Sequence, residues 1–248
     1  MRHEDALPRL RALGFEEREA QTLADHFLDA ERRGKRGHGL ARVAWLETQD
    51  VDPGAHPERL LADEGYERWD GRGTLGYLTL AEICAAQIDS PPEHARVIVA
   101  SNCFPTGMLG HWTRKLADAG LVAVLTATSP ARLAHPDGGP PLAGTNPLSI
   151  AVPSSDGHPI VTDVSMGQVT HGDVIAGLAS EDELVPFGGQ QAHKAFAIAL
   201  GLQLLVDALA GEGYSAVMLV ARPEADPVPA LRRLAGGSRL PGDGSTKA

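Results

Sequence analysis

The apolar positions of this chain keep first a helical period, then a two-residue one, and each switch marks an element. Leu7, Leu10 and Leu13 open a short helix that Gly14 stops. Phe15 and Glu16 begin a second, in which Ala20, Leu23, Ala24, Phe27 and Leu28 occupy one helix face. The period breaks at Arg32–Gly39, RRGKRGHG, and an apolar pattern resumes over Leu40–Leu46. Asp50–Gly73, rich in Pro, Gly and charge, reads as a connection. Thr79 and Glu82 suggest a capping box for a helix through Ile88, with Leu80, Ile83, Cys84 and Ile88 on one face. Arg96–Ala100 is predicted as a strand, Ser101–Gly110 as a loop, His111–Ala119 as a helix stopped by Gly120, and Leu121–Thr126 as a strand.

The second half begins with a predicted hairpin. Leu148–Val152 and Ile160–Val164 read as strands joined by the turn Ser154–Gly157, where Asp and Gly tolerate positive φ. Ser180–Leu184 reads as a turn and Pro186–Lys194 as a glycine-containing loop. The helix Ala195–Leu209 carries Phe196, Ala199, Leu202, Leu205, Val206 and Leu209 on its stripe. Ala216–Ala221 is a strand, and Asp226 caps a last helix with Pro227 at its first position. The tail Gly236–Ala248 is expected to fray.

Composition narrows the classes. A chain of 248 residues, 43% apolar and 22% charged, can bury a full core. A net charge of -10 argues against nucleic acid as a partner. Two cysteines, Cys84 and Cys103, give neither a disulfide framework nor a CxxC pair, which fits a cytoplasmic setting without a metal site. The start MRHEDALPRL has no apolar run, so no signal peptide is expected. The segment Ala195–Leu209, interrupted by Gln203 and Asp207, is too short to span a bilayer, so no membrane partner is expected.

Two places hold candidate chemistry. His38 and Arg42 are four residues apart and share a face if that segment is helical. An arginine fork can hold a carboxylate, and a histidine beside it can give or take a proton near neutral pH. The second place is Ala143–Asp163: Gly144, Thr145, Asn146 and Pro147 form a donor-rich turn, and Asp163 closes the following hairpin. GxGxxG, Walker A, HExxH and GxSxG patterns are all absent.

Taken in order, these stretches resemble a known family. RGKRGHGLAR (Arg33–Arg42) is similar to RGxxSHGxxR, and SNCFPTGMLGHW (Ser101–Trp112) to RNSNHFGAAGYY. GTNPLSIAVP, TDVSMG, VPFGGQQAHKAF and RLPGD follow at matching order and rough spacing. The chain thus resembles the malate/L-lactate dehydrogenase family of oxidoreductases, which includes Δ1-piperideine-2-carboxylate reductase, ureidoglycolate dehydrogenase and 2,3-diketogulonate reductase.

The resemblance implies an α/β (α+β) fold without a Rossmann domain. An N-terminal helical region (1–75) would pack on a mixed, mostly antiparallel β domain (76–225) that binds NADH or NADPH, followed by a C-terminal helix and tail (226–248). It implies a homodimer that reduces a small 2-oxo acid or cyclic 2-imino acid. In that scheme His38 is the proton donor, Asp163 orients or charges it, and Arg42, Thr145 and Asn146 hold the carboxylate substrate. Cys103, Thr106, Gly107, Gly144, Pro147, His171, His193 and Lys194 would contact the cofactor. The departures are specific. Gly37 replaces a family serine, Pro105 a family histidine, and Ala195 and Ala197 replace glycines. The segment Gln168–Leu184 is shorter than the family's. They favour the alternative of a family-derived protein that binds an acidic small molecule, or runs cofactor-free acid–base chemistry, without hydride transfer.

Overall fold

The computed structural model describes residues 3–243. The N-terminal helices are α1 (His3–Ala12), α2 (Glu17–Arg32) and α3 (Ala41–Leu46), with a 3-10 turn over Arg36–His38. The strands are β1 (Glu58–Ala62), β2 (Tyr66–Asp70), β3 (Ala95–Ser101), β4 (Val122–Ala127), β5 (Leu148–Val152), β6 (Ile160–Val164) and β7 (Ala216–Ala221). The remaining helices are α4 (Gly76–Asp89), α5 (Leu109–Asp118), α6 (His171–Ile175), α7 (Ala192–Ala210) and α8 (Val228–Ala235).

All seven strands form one sheet in the order β1-β2-β3-β7-β4-β5-β6. Only β2 and β3 pair in parallel; every other neighbour is antiparallel. The sheet is thus mixed and mostly antiparallel, as the family resemblance implied. Alternation along the strands separates two faces. Ile98, Ala100, Ala123, Leu125, Met218 and Val220 join one large apolar cluster with α1 to α5, centred on the fully buried Trp112, Tyr77 and Phe27. Val99 and Val217 turn the other way and meet Val206 and Ala210 of α7. Each fully buried large side chain contributes about 1.5–3 kcal/mol relative to exposure.

The predicted β5–β6 hairpin forms, with Ser149 opposite Asp163. Several expectations need correction. The stretch Asp50–Gly73 contains β1 and β2. All five β1 residues are exposed, and in β2 the buried positions are Glu67 and Trp69, so no apolar alternation betrays the strands. Glu67 is tolerated inside because Trp69 Nε1 (2.9 Å) and Gln87 Nε2 (3.0 Å) donate to it, with the Arg96 guanidinium 3.3 Å away. Helix α4 starts three residues before Thr79, whose hydroxyl donates to the Leu75 carbonyl inside the first turn. There is no capping box at Thr79, and Ile88 is exposed.

Helix α7 begins at Ala192, and with the preceding 3-10 turn the segment Gly189–Ala210 is by length and composition long enough to cross a membrane, contrary to the expectation from sequence. It packs on the sheet through Phe196, Ala199 and Val206, while Leu204, Leu205 and Leu209 are exposed, so its apolar stripe is only partly a core stripe. Residues 236–243 are not frayed. Val161 N–H donates to the Pro241 carbonyl, Arg114 and Arg33 donate to the Gly242 carbonyl, and Arg232 pairs with Asp243. The rest of the tail lies outside the described residues.

Candidate active site

The site is a cavity of about 600 Å³ between the 3-10 turn before α3, the loop before α5, the ends of β4 and β6, and α6. His38 and Arg42 both line it. They do not share one helix: His38 ends the 3-10 turn and Arg42 sits in α3, with Gly39 between the two elements. Glu31 fixes this junction by accepting the Leu40 N–H. Arg42 is buried, its Nε donates to the Gly37 carbonyl (2.9 Å), and its guanidinium lies 5.0 Å from the Trp45 ring centre. Stacking and one backbone bond leave the rest of the planar fork for a ligand.

His38 is held neutral. Burial, then the Arg42 charge, lowers its pKa from 6.5 to about 3, with Lys35 adding and Asp173 opposing. Its Nδ1 is closed off without a partner, so Nε2 is the nitrogen left to meet a ligand. Asp163 lines the same cavity, and burial raises its pKa against the Lys35 charge and the Gly110 N–H. Asp173 of α6 lines the cavity too, and its charge opposes the fall of the His38 pKa.

Helix α6 comes from the segment whose shortness counted as a loss. Thr170 caps it reciprocally with Asp173: Asp173 N–H donates to the Thr170 hydroxyl (3.2 Å), and Thr170 N–H and Oγ1 both donate to Asp173 Oδ2 (2.8 Å each). This wall explains Gly37. A Cβ there would stand 2.6 Å from Asp173 N and 2.7 Å from the Gly172 carbonyl carbon, and closer still to Asp173 Oδ1. The space that a serine side chain needs is filled by α6. Gly172 in turn leaves room for Arg42, whose Nη2 would lie 2.7 Å from a Cβ.

The loop before α5 makes the floor. Thr106 and Gly107 line the cavity, with Pro105 and Met108 as apolar neighbours. Trp112 Nε1 donates to the Thr106 carbonyl (2.9 Å), and Met108 N–H donates to Nε2 of the buried His26 (3.0 Å). Behind them Asp29 Oδ2 accepts from His111 Nδ1 at 2.9 Å. Burial works against Asp29, but the His111 bond and the Arg33 charge hold its carboxyl below the usual range. At Gly107, φ is +71° and a Cβ would press on His26 and Tyr77, so glycine is required. Thr145, Pro147 and His171 also reach the cavity. His171 is lowered by burial, then by Arg132 and Arg42.

Five residues expected at the site do not line it. Asn146 is fully buried, and its side chain is spent on structure: Nδ2 donates to the Ala199 carbonyl (3.0 Å) and Gln203 Oε1 (2.9 Å), and Oδ1 accepts from Ser129 N–H (3.3 Å). These bonds hold it at a φ of +20° and clamp the turn onto α7. Gly144 packs against Ser129 and the Asn146 amide. Cys103 is buried 3.8 Å from the Gly76 carbonyl, and burial pushes its thiol up to about 12. His193 and Lys194 lie exposed on the first turn of α7. Sequence reasoning missed Lys35, Tyr77, Arg132 and Asp173, which do line the cavity. Only Asp173 carried a signal, the T-x-x-D spacing from Thr170.

The donor set suits a nicotinamide nucleotide beside a small acid. Pro105, Met108 and Val164 offer an apolar wall; Thr106, Ser129 and Thr145 offer hydroxyls; the buried Tyr77 hydroxyl and His38 Nδ1 have no partner among the described residues. Among those residues no cluster of His, Cys, Asp and Glu could hold a metal ion.

Comparison with known proteins places this geometry. The chain is 31% identical over 179 residues to a (2R)-3-sulfolactate dehydrogenase (NADP(+)) of Chromohalobacter salexigens, covering 68% of this chain and 52% of that protein. It is 30% identical over 234 residues to a Δ1-pyrroline-2-carboxylate/Δ1-piperideine-2-carboxylate reductase of Pseudomonas putida, covering 82% and 67%. The chain therefore spans about half to two thirds of the length of these relatives. The fold is similar to the crystal structure of Δ1-piperideine-2-carboxylate reductase from Pseudomonas syringae pvar. tomato, at a TM-score of 0.83 and 22% identity, covering 97% of this chain and 89% of that one. It is likewise similar to the malate dehydrogenase of Entamoeba histolytica, at 0.78 and 18%, covering 97% and 85%. The family model for malate/L-lactate dehydrogenase matches residues 6–183, a span that takes in His38, Arg42, the β5–β6 hairpin and the α6 wall, and the chain belongs to that family.

Proposed function

We propose that this protein is an NAD(P)H-dependent reductase of a small 2-oxo acid or cyclic 2-imino acid. The observation that carries this reading is the one cavity in which a half-buried, neutral histidine and a stacked arginine fork face an apolar floor. The family match and the printed activities of the relatives support it. NADH or NADPH supplies the hydride when bound. Thr106, Gly107, Pro147 and His171 line its part of the cavity, Arg42 and Thr145 hold the acid, and His38 delivers a proton to the substrate oxygen or nitrogen from Nε2. Asp163 supports the polar end beside Lys35. The test is a panel of 2-oxo acids and cyclic imines with each nucleotide, followed by nicotinamide absorbance and fluorescence. Turnover of at least one substrate is expected; no turnover and no nucleotide binding at millimolar concentration would sink the reading.

The carboxylate clamp has its own test. Arg42→Lys keeps the charge but loses the fork, so substrate binding should weaken by about 1.5–3 kcal/mol. The bond to the Gly37 carbonyl is lost as well, so stability should fall by about 1 kcal/mol. Denaturant melts and KM together separate the two effects. Unchanged KM with a large loss of stability would make Arg42 a structural residue.

A homodimer and a cytoplasmic setting complete the reading. Ile198, Leu204, Leu205 and Leu209 leave an apolar stripe of α7 exposed, which a second subunit would cover. Light scattering at micromolar concentration should give twice the chain mass; a monomer contradicts it. Cys84 and Cys103 are free and buried, which fits a reducing compartment.

A further inference from the structure

We propose that Gln203 and Asp207 of α7, neither of which lines the cavity, are positioning residues for the acid: through Asn146 they hold the turn that presents Thr145 to it. This rests on the reductase reading above, in which Thr145 holds the acid. Asn146 is fully buried at the centre of that turn, between Thr145 and Pro147, which both line the cavity. Its φ of +20° is a backbone conformation that a residue other than glycine keeps only when its surroundings hold it there. Three hydrogen bonds of its own side chain do so, and they join two stretches of the cavity wall to one helix. Oδ1 accepts from the N–H of Ser129, itself a lining residue, while Nδ2 donates to the Ala199 carbonyl and to Gln203 Oε1 of α7.

An amide has a donor end and an acceptor end of nearly equal size, so Gln203 can turn either one toward Asn146. Asp207, one helical turn further on, removes that choice. Gln203 Nε2 donates to both of its carboxylate oxygens, at 3.1 Å each. With Nε2 so held, Oε1 is the atom that meets Asn146, at 2.9 Å. A flipped amide would set two donors face to face and turn a carbonyl on a carboxylate. The ends of the turn are anchored independently of α7. Met166 N–H donates to the Thr145 carbonyl (2.8 Å), and the Thr126 hydroxyl donates to the Pro147 carbonyl (2.9 Å). Loss of the Gln203 bond therefore leaves the path of the chain in place. What it frees is the short piece between those anchors, the Thr145 side chain with it.

Pyruvate binding is measured by calorimetry with NADP⁺ present, a pair between which no hydride passes, together with NADP⁺ binding and thermal melts. The proteins are the wild type, Gln203→Met, Gln203→Glu and the double variant Gln203→Glu, Asp207→Asn. Gln203→Met removes the acceptor at similar volume and should weaken pyruvate binding about tenfold, with a smaller change in NADP⁺ affinity. Gln203→Glu sets two carboxylates one turn apart and should weaken it likewise. In the double variant the roles are exchanged: the carboxylate at 203 accepts from Asn146 and from the new amide at 207. Pyruvate affinity should then return to within about twofold of the wild type. A lower melting temperature with unchanged pyruvate affinity in both single variants makes these residues merely structural and overturns the proposal. So does a folded double variant that binds pyruvate as weakly as Gln203→Glu. Where Gln203→Met does not fold, Gln203→Glu against the double variant decides in the same way. A wild type that binds NADP⁺ but no pyruvate at millimolar concentration also overturns it. If acids of the panel turn over and the variants bind pyruvate like the wild type, the reductase reading stands and this inference alone falls. If the wild type binds neither nucleotide nor pyruvate, both fall.

Discussion

Replacing His38 by Asn is expected to slow turnover by about 10²–10⁴, the usual worth of a positioned general acid. Nucleotide binding should persist, because the loop around Thr106 and Gly107 is held by Trp112 and His26 and not by His38. The pH profiles carry more information than the rate. In the free protein burial and Arg42 hold His38 down to about 3, so it is neutral when substrate arrives. A substrate carboxylate on Arg42 offsets the charge that depresses the imidazole, and the pKa must rise in the complex. The profile of kcat for reduction should therefore fall at a higher pH than that of kcat/KM. Asp173→Asn should move the kcat limb to lower pH, since Asp173 is the carboxylate that raises His38. Coincident profiles, or full activity of His38→Asn, would take the proton donor elsewhere.

The same depressed pKa bears on stability. Between about 3 and 6.5 the unfolded histidine binds a proton that the folded one does not. Folding stability then rises with pH across that window and is lost as pH falls through it. His26 and His111, both lowered chiefly by burial, act in the same direction. Thermal melts between pH 7 and pH 4 should show this loss, and His38→Asn should make it shallower.

Gly37→Ser should not restore a family-like site; it should damage this one. The new Cβ meets the Asp173 carboxylate and the backbone of Gly172 and Asp173, which a rotamer change cannot relieve. Overpacking of this kind costs about 1–3 kcal/mol or more. The strain falls on the Thr170–Asp173 cap and on the Gly37 carbonyl that positions Arg42. Both the melting temperature and the affinity for the acid should fall, and a double variant Gly37→Ser, Asp173→Ala should not recover stability, because the backbone contacts of Gly172 and Asp173 remain and the Thr170 cap is lost. A stable, fully active Gly37→Ser would show that α6 yields easily and does not form a fixed wall.

The chain alone was enough for the pieces whose information is local. The stripe of α2, the β5–β6 hairpin and the strand β7 follow from apolar spacing and turn residues, because a helix face or a pleated edge repeats along the sequence. The pairing of His38 with Arg42 was also legible, since four residues of chain can bring two side chains to one place. The hairpin of β1 and β2 was not, because its stability comes from pairing with β3 and from a carboxylate, Glu67, that only Trp69, Gln87 and Arg96 make tolerable inside. Asn146 looked like a ligand group by type and neighbourhood. Whether an amide faces a cavity or a helix is decided by what packs on it, and here α7 claims it. Asp173 and Arg132 reach the site from segments far along the chain from His38, so no spacing rule could join them. The family motifs fixed which chemistry to look for; the fold of α6 against Gly37 decided that Asp173 stands in the cavity wall, since two backbones in contact leave room for hydrogen and nothing larger.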